Sequence, residues 1–486
     1  MALFVDRRRE LEWLDEHWRS GRAELLLVYG RRRVGKTRLV REWIRRRRLE
    51  GRIVYFVAEE EPERAAVERL SRALAETLGD ELLRERPLET WRQALLYLAA
   101  AARRERLGVV IDEFQYAAQA SPGLPSLLQT LWDEKLSNTR IFLLLMGSLV
   151  SFTEGLLSSR SPLYGRFTGV ARLNPLTPLA AGCFAPNWSP EDRVRLYAVF
   201  GGVPGYLAEV DPRQGLWWNV ERLLLRPNAR FLDEARHLLK EELREVHRYF
   251  AILEAVAQGA TGYGEIAQRS GVPGESLSKY LRVLEEMGLI RRVYPVLGKG
   301  RARYRLADPF LRFWFRYIPR HRAAIELGLT DKVLDAVKRD FEASLAPIAW
   351  EETLQAMIAE ASRRGWIRLT PTRMGPWWHR GEEIDLVAVD ETTSPPRLLA
   401  AEAKWSSLTC TELRRVLDRL RAKAQRLPAP SGARIEYLVA ARHIECRNPH
   451  LLPDEHAWSI NEYEKLAAEE CSSADVSNDS QPVLGP

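Results

Sequence analysis

Three places in the chain set residues at spacings suited to chemistry on phosphate groups. The first is Gly30-Arg-Arg-Arg-Val-Gly-Lys-Thr37, which satisfies G-x-x-x-x-G-K-S/T between an apolar run and an amphipathic one. Glycines at both ends let successive backbone N–H groups converge on phosphate oxygens, and a helix starting there adds the positive end of its dipole. Lys36 then reaches the β and γ phosphates and Thr37 offers its hydroxyl to Mg2+, while Gly30, Val34, Gly35 and Arg38 complete the expected nucleotide contacts. The second place is Gly108-Val-Val-Ile-Asp-Glu113, an apolar run ending in two adjacent carboxylates. Asp112 is expected on the Mg2+ water shell, and Glu113 is expected to polarise the attacking water of an ATP hydrolysis. The third place joins Asp385, inside Glu-Ile-Asp-Leu-Val, to Glu402-Ala-Lys404 across a Pro-bearing turn. Alternation along a strand sends Glu402 and Lys404 to one face. Asp385 and Glu402 suit a hard divalent cation (Mg2+, with Mn2+ as the other choice), and Lys404 suits a water that attacks a phosphodiester. Glu351, upstream on a helical run, offers a further carboxylate. The plain alternative for this third place is an edge pair of strands with a surface salt bridge.

The elements that must position these residues follow from periodicity. Residues 1–180 alternate apolar strands (24–29, 52–58, 107–111, 140–146) with helices, which predicts a parallel sheet wrapped by helices. From 181 to 240 the strands disappear and a small helical annex is expected. Residues 241–320 read as a helix-turn-helix followed by a hairpin. Residues 331–465 return to mixed α and β, and 466–486, small and polar toward its end, reads as a disordered tail.

Within 263–289 the turn Gly271-Val-Pro-Gly274 separates two helical runs. Leu277, Tyr280, Leu281, Leu284 and Met287 share one face of the second run and pack inward, leaving Ser278, Lys279 and Arg282 pointing out. The second helix is the one that enters the major groove in DNA readers, and Lys299 and Arg301 would sit at a basic wing tip. A winged helix is thus predicted, serving DNA contact or, equally, protein contact.

Bulk properties narrow the classes. No apolar stretch is long enough to cross a bilayer, and the start of the chain lacks the apolar run of a signal peptide. The four cysteines show no ligand-like spacing, so neither a disulfide framework nor a zinc site is expected, and a cytoplasmic setting fits. The net charge of +7 permits nucleic-acid binding without demanding it.

Taken with Gly201-Gly-Val-Pro-Gly-Tyr206, the first two motifs resemble the prokaryotic ATPases grouped with AAA and STAND-type NTPases, over most of residues 1–320. The resemblance implies a nucleotide-closing role for that Gly-Pro segment and a strand, 141–146, inserted between the two motif strands. It also implies a polar sensor at Ser148 and a γ-phosphate arginine at Arg166, supplied in cis or to a neighbouring copy, so self-association is left open. Ser148 would alternatively cap the next helix. Residues 335–450 resemble the PD-(D/E)xK nuclease superfamily. Glu351 stands at its helix acid, Asp385 at its metal aspartate, and Glu402 with Lys404 at its E-x-K pair, although Ile384 replaces the usual proline. Gln425 matches an accessory glutamine, and Trp377, Trp378 and His379 flank the site. The implied architecture is a P-loop sheet, a helical lid, a winged helix and an α/β endonuclease-like block. The implied function is an ATP-driven switch acting on DNA through a metal-dependent nuclease-like domain. The alternative is a regulatory ATPase whose last domain is catalytically silent and holds protein or nucleic acid.

Overall fold

The computed structural model describes residues 2–243, 245–446, 449–472 and 475–477. The chain divides into two compact units, one of residues 7–174 and one of residues 1–6 with 175–486.

The first unit is built on five parallel strands, in the order Ile53–Val57, Leu107–Asp112, Ile141–Gly147, Glu24–Tyr29, Gly169–Arg172. The three central strands are buried along their whole length, which explains why they read as unbroken apolar runs and not as alternating ones. The helix Lys36–Arg47 turns Leu39, Val40, Trp43 and Ile44 inward. Trp43 stacks on Phe142 with ring centroids 5.3 Å apart and donates from its indole to Asp15 at 2.9 Å. Truncating so large a buried ring costs roughly 3–5 kcal/mol, so this packing fixes the helix, and with it the loop that precedes it, on the sheet. Strand Ile141–Gly147 lies between the two motif strands.

The second unit opens with helices from Pro178 onward, among them Pro190–Phe200. Tyr263–Ser270 and Gly274–Glu286 form the helix-turn-helix, followed by the antiparallel pair Ile290–Val293 and Arg303–Leu306. Leu277, Tyr280, Leu281 and Leu284 are buried, as their spacing demands. The wing itself departs from expectation. Its turn packs on the last block instead of standing free: Leu297 joins the apolar cluster of Trp377, Ile384 and Leu398. The Val296 N–H donates to the Pro376 carbonyl at 2.9 Å. That last block is a five-stranded sheet in the order Glu455–Trp458, Arg434–Glu445, Arg397–Thr409, Glu382–Asp390, Arg373–His379. The last two neighbour pairs are antiparallel and the first two parallel, with the helices Ala346–Arg363 and Cys410–Ala424 packed on it.

Two expectations drawn from composition do not hold. The cysteines pair, Cys183 with Cys471 and Cys410 with Cys446, because tertiary packing brings together positions whose spacing along the chain carries no signal. Residues 466–472, assigned to the tail, belong to the helix Ile460–Ser472, which buries Leu466 and Ala467. The strand Asp475–Ser477 then pairs with Ala2–Phe4. Residues 473–474 and 478–486 of the expected tail lie outside the described residues.

Candidate functional site

In the first unit, the loop after strand Glu24–Tyr29 turns on two glycines. Gly35 has φ 98° at the helix start, a left-handed conformation that side chains rarely adopt, and a Cβ at Gly30 would collide with the Leu173 carbonyl. Lys36 is buried and its Nζ donates to the Gly30 and Arg31 carbonyls at 2.9 and 3.3 Å, curled over the loop it belongs to. The Thr37 hydroxyl donates to Asp112 Oδ2 at 2.7 Å, so the two motifs meet through their polar ends. Asp112 is buried, and desolvation pushes its carboxyl above the ordinary range, against the hydrogen bonds from Tyr55 and Thr37. Glu113 adopts φ 54° at the start of a short helix, a left-handed conformation that is uncommon for a side-chain-bearing residue. Ser148, at the end of the inserted strand, donates its hydroxyl to Glu113 Oε2 at 2.6 Å, and the Gln115 amide reaches the same oxygen. The side chain of Ser148 therefore serves Glu113, and the following helix is capped at Leu149 with no side-chain bond.

Sequence reasoning missed three contributors to this site. Tyr55 donates to Asp112 Oδ2 at 2.6 Å, Gln115 bridges Glu113 and Ser148, and buried Arg7 donates to the Val34 carbonyl at 3.3 Å. Nothing in an apolar strand marks Tyr55 for this role, since only the pairing of its strand with Leu107–Asp112 brings it there. Arg166, expected at the γ-phosphate, is forked onto Asp133 at 3.0–3.2 Å and onto its own loop through the Tyr164 carbonyl.

In the second unit, Asp385 sits where the pairing of Glu382–Asp390 with Arg373–His379 slips between Ile384 and Val387. Such a bulge re-aims side chains, and here the Asp385 carboxylate accepts the Ala403 N–H at 2.9 Å. Lys404 Nζ lies 2.6 Å from Glu402 and 3.4 Å from Asp385, on the shared face that alternation predicts. Lys423 Nζ holds the other oxygen of Glu402 at 2.7 Å, and Arg305 reaches Glu351 at 3.4 Å. Burial, then the charge of Glu402, pushes Asp385 up. Burial, then the charge of Asp385, pushes Glu351 up to about 7. Glu402 is held below its ordinary range despite burial, because Lys404 and Lys423 flank it. Each of the three acids is thus already met by a cation of the chain, and among the described residues no three His, Cys, Asp or Glu side chains gather as a metal site. The oxygen donors are of the right kind for Mg2+ or Mn2+, and Glu351, Asp385 and Glu402 are the residues that would hold such an ion in place of the cations that meet them here. Gln425 is exposed at the end of its helix, and the residue of that helix that turns to the site is Lys423. A signal for it existed: only ten of the 73 basic residues are lysines, and Lys36, Lys404 and Lys423 are three of them. Trp377 is core, Trp378 lies under Arg303 at 4.3 Å, and His379 is exposed.

Comparison with known proteins agrees with the first site. Residues 4–210 match the ATPase domain found predominantly in archaea. The uncharacterized protein MJECL04 of Methanocaldococcus jannaschii is 31% identical over 449 residues, spanning 92% of this chain and 97% of that protein. The chain belongs to the archaeal-type ATPase family. A second protein of that organism, the uncharacterized ATP-binding protein MJ0423, is 41% identical over 49 residues, 10% of this chain and 83% of that one. Among solved structures, the Walker-type ATPase PABY2304 of Pyrococcus abyssi is 22% identical and covers 64% of this chain and 96% of its own, with a TM-score of 0.48. Residues 246–293 of this archaeal-type ATPase match an IclR helix-turn-helix domain, and residues 314–416 match a family of archaeal and bacterial proteins of unknown function. On the second helix of the helix-turn-helix Ser278, Lys279 and Arg282 are exposed, as are Lys299 and Arg301 at the wing turn. Among the described residues no helix is long and apolar enough to cross a membrane.

Proposed function

We propose that this archaeal-type ATPase hydrolyses ATP at the Gly30–Thr37 loop and that its second unit handles nucleic acid. The observation that carries the first part is the 2.7 Å bond between the Thr37 hydroxyl and Asp112, which brings the two motifs to one point. Those hard oxygen donors fit Mg2+, which would neutralise phosphate charge there. Lys36 leaves the loop carbonyls to pair with the β and γ phosphates, and the loop amides hold the same oxygens. Glu113, oriented by Ser148 and Gln115, takes the proton of the attacking water. Replacing Lys36 with Ala should abolish retention of a fluorescent ATP analogue, and undiminished binding would refute the site.

The exposed Ser278, Lys279 and Arg282 support DNA contact by the second helix of the helix-turn-helix. With the wing turn packed on the neighbouring block, Lys299 and Arg301 are the weaker part of that surface. For the carboxylate site, convergence of Asp385, Glu402 and Lys404 supports metal-dependent phosphodiester cleavage. Pairing of each acid with a chain cation favours the alternative, a nuclease-like fold that holds nucleic acid without turnover. Plasmid and single-stranded DNA incubated with Mg2+ or Mn2+ should stay intact. Nicking that Lys404→Ala removes would restore cleavage as the function.

A further inference from the structure

The turn between the two strands of the winged helix is fixed against the last sheet by Leu297 and by the Val296–Pro376 hydrogen bond. Arg303 adds to this docking, since it pairs with Glu383 at 2.8 Å and lies over Trp378. That arrangement carries arginines of the winged helix to the edge of the carboxylate site. Between them lies a cleft of about 490 Å³, whose lining includes Arg291, Tyr294, Arg305, Glu351, Arg373 and Asp385.

The charges around this cleft are unequal in availability. Glu352 is neutralised from behind by Arg312 at 2.7 Å, both side chains nearly buried, and Asp385 is met by Lys404 and the Ala403 N–H. The nearly buried Arg312–Glu352 pair does not exchange partners cheaply, whereas Lys404 is 36% exposed and lies 3.4 Å from Asp385. Of the arginines, Arg291 is bound to the same Glu352 at 2.7 Å, and Arg305 and Arg373 are held more loosely. Arg305 reaches Glu351 at 3.4 Å and Glu383 at 3.7 Å, beyond the 2.7–2.9 Å of a charge-assisted bond. Arg373 pairs with Glu391 in an interaction about half exposed on both sides, worth at most about 1 kcal/mol. Tyr294 presents a ring that is 55% exposed beside them. A basic groove with an open aromatic face is the pattern that holds a nucleotide strand by its phosphates and one stacked base. The cleft is far too small for a duplex.

We propose that the winged helix and the last sheet together form a binding site for single-stranded nucleic acid, with Arg305 and Arg373 on backbone phosphates and Tyr294 stacked on a base. This rests on the nucleic-acid reading of the second unit and adds to it residues from outside the carboxylate motif. It needs no metal ion.

The test uses the full chain in EDTA, with fluorescently labelled single-stranded DNA, RNA of the same sequence, and duplex DNA followed by anisotropy. Single strands should bind, with Arg305→Gln weakening them about tenfold or more. The slope of log K against log salt should fall by about 0.7 for each phosphate that the variant no longer neutralises. The DNA and RNA arms show which strand is preferred. Because Arg305→Gln can disturb the docking, unmodified protein should also be photo-crosslinked to an iodouracil oligonucleotide, with the adduct expected on Tyr294. Binding that is indifferent to Arg305 and Arg373 but abolished in Lys279→Glu/Arg282→Glu, with no Tyr294 adduct, overturns the cleft and leaves nucleic-acid binding by the helix-turn-helix intact. No affinity for any of the three probes overturns the underlying reading as well.

Discussion

At the scale of single residues, Asp112 and Glu113 are adjacent in the chain yet sit in different environments. Asp112 is buried with two hydroxyl donors on one oxygen, while Glu113 turns through a left-handed backbone to Ser148. This separation predicts separable defects. Glu113→Gln should keep ATP affinity and lose about 10²–10⁴-fold in turnover, measured by phosphate release beside nucleotide titration. Loss of binding instead would mean that Glu113 holds nucleotide. Tyr55→Phe removes one of the two hydroxyl donors to Asp112 and leaves the ring in place. The expected result is a higher Mg2+ concentration for half-maximal rate, with the rate at saturating Mg2+ largely kept, and an unchanged Mg2+ dependence would show that Tyr55 is only packing. Lys36, Thr37 and Asp112 were legible in the sequence because local chain geometry alone presents them at a strand end or helix start. Tyr55, Lys423 and Arg305 were not, because each acts on a partner that only strand order or helix docking supplies.

Elements show the same division between local and tertiary information. The helix faces of 263–286 follow from periodicity, since burial of one face is written in residue spacing, and the strand 141–147 follows from an unbroken apolar run buried on both faces. The clamp at Glu455 does not. Arg414 and Arg421 lie two helical turns apart on one face of Cys410–Ala424 and both reach Glu455, the buried first residue of its strand, at 2.7–3.0 Å. The hydrogen bonds from Arg414 hold the Glu455 carboxyl down at about 2. A carboxyl with a depressed folded-state pKa contributes stability that is present above its unfolded value near 4.5 and is lost as pH falls toward 2. Glu455→Gln should therefore cost about 3 kcal/mol at neutral pH and flatten the acid limb of the unfolding curve. Equal acid sensitivity in both proteins would assign that limb to other carboxylates. Cys410–Cys446 ties the start of the same helix to the end of strand Arg434–Glu445, closing a span of 36 residues. Removing this bridge alone, by Cys410→Ser with Cys446→Ser, should lower stability by about 3–4 kcal/mol through the loop entropy regained by the unfolded chain, read as a shift in the denaturant midpoint of the second unit. No shift would mean that the bridge leaves the unfolded ensemble unconstrained.

For the whole molecule, the division of the chain decides which perturbations reach which part. The Gly30–Thr37 loop and the side chains that meet around it, Tyr55, Asp112, Glu113, Gln115 and Ser148, all lie within 7–174, and that unit has its own sheet and apolar core. The second unit joins Ala2–Phe4 to Asp475–Ser477, so it encloses the first unit in sequence while keeping a separate core. Ligand binding stabilises only what folds with the site. At one hundred times its dissociation constant, Mg-ATP adds about 2.7 kcal/mol to the first unit, which for a domain of this size is roughly 5–10 °C. Calorimetry should accordingly show two transitions, with Mg-ATP raising one and Glu455→Gln lowering the other. If a single transition moves under both treatments, the units unfold as one body, and nucleotide state then bears directly on the stability of the second unit, including the cleft beneath its wing.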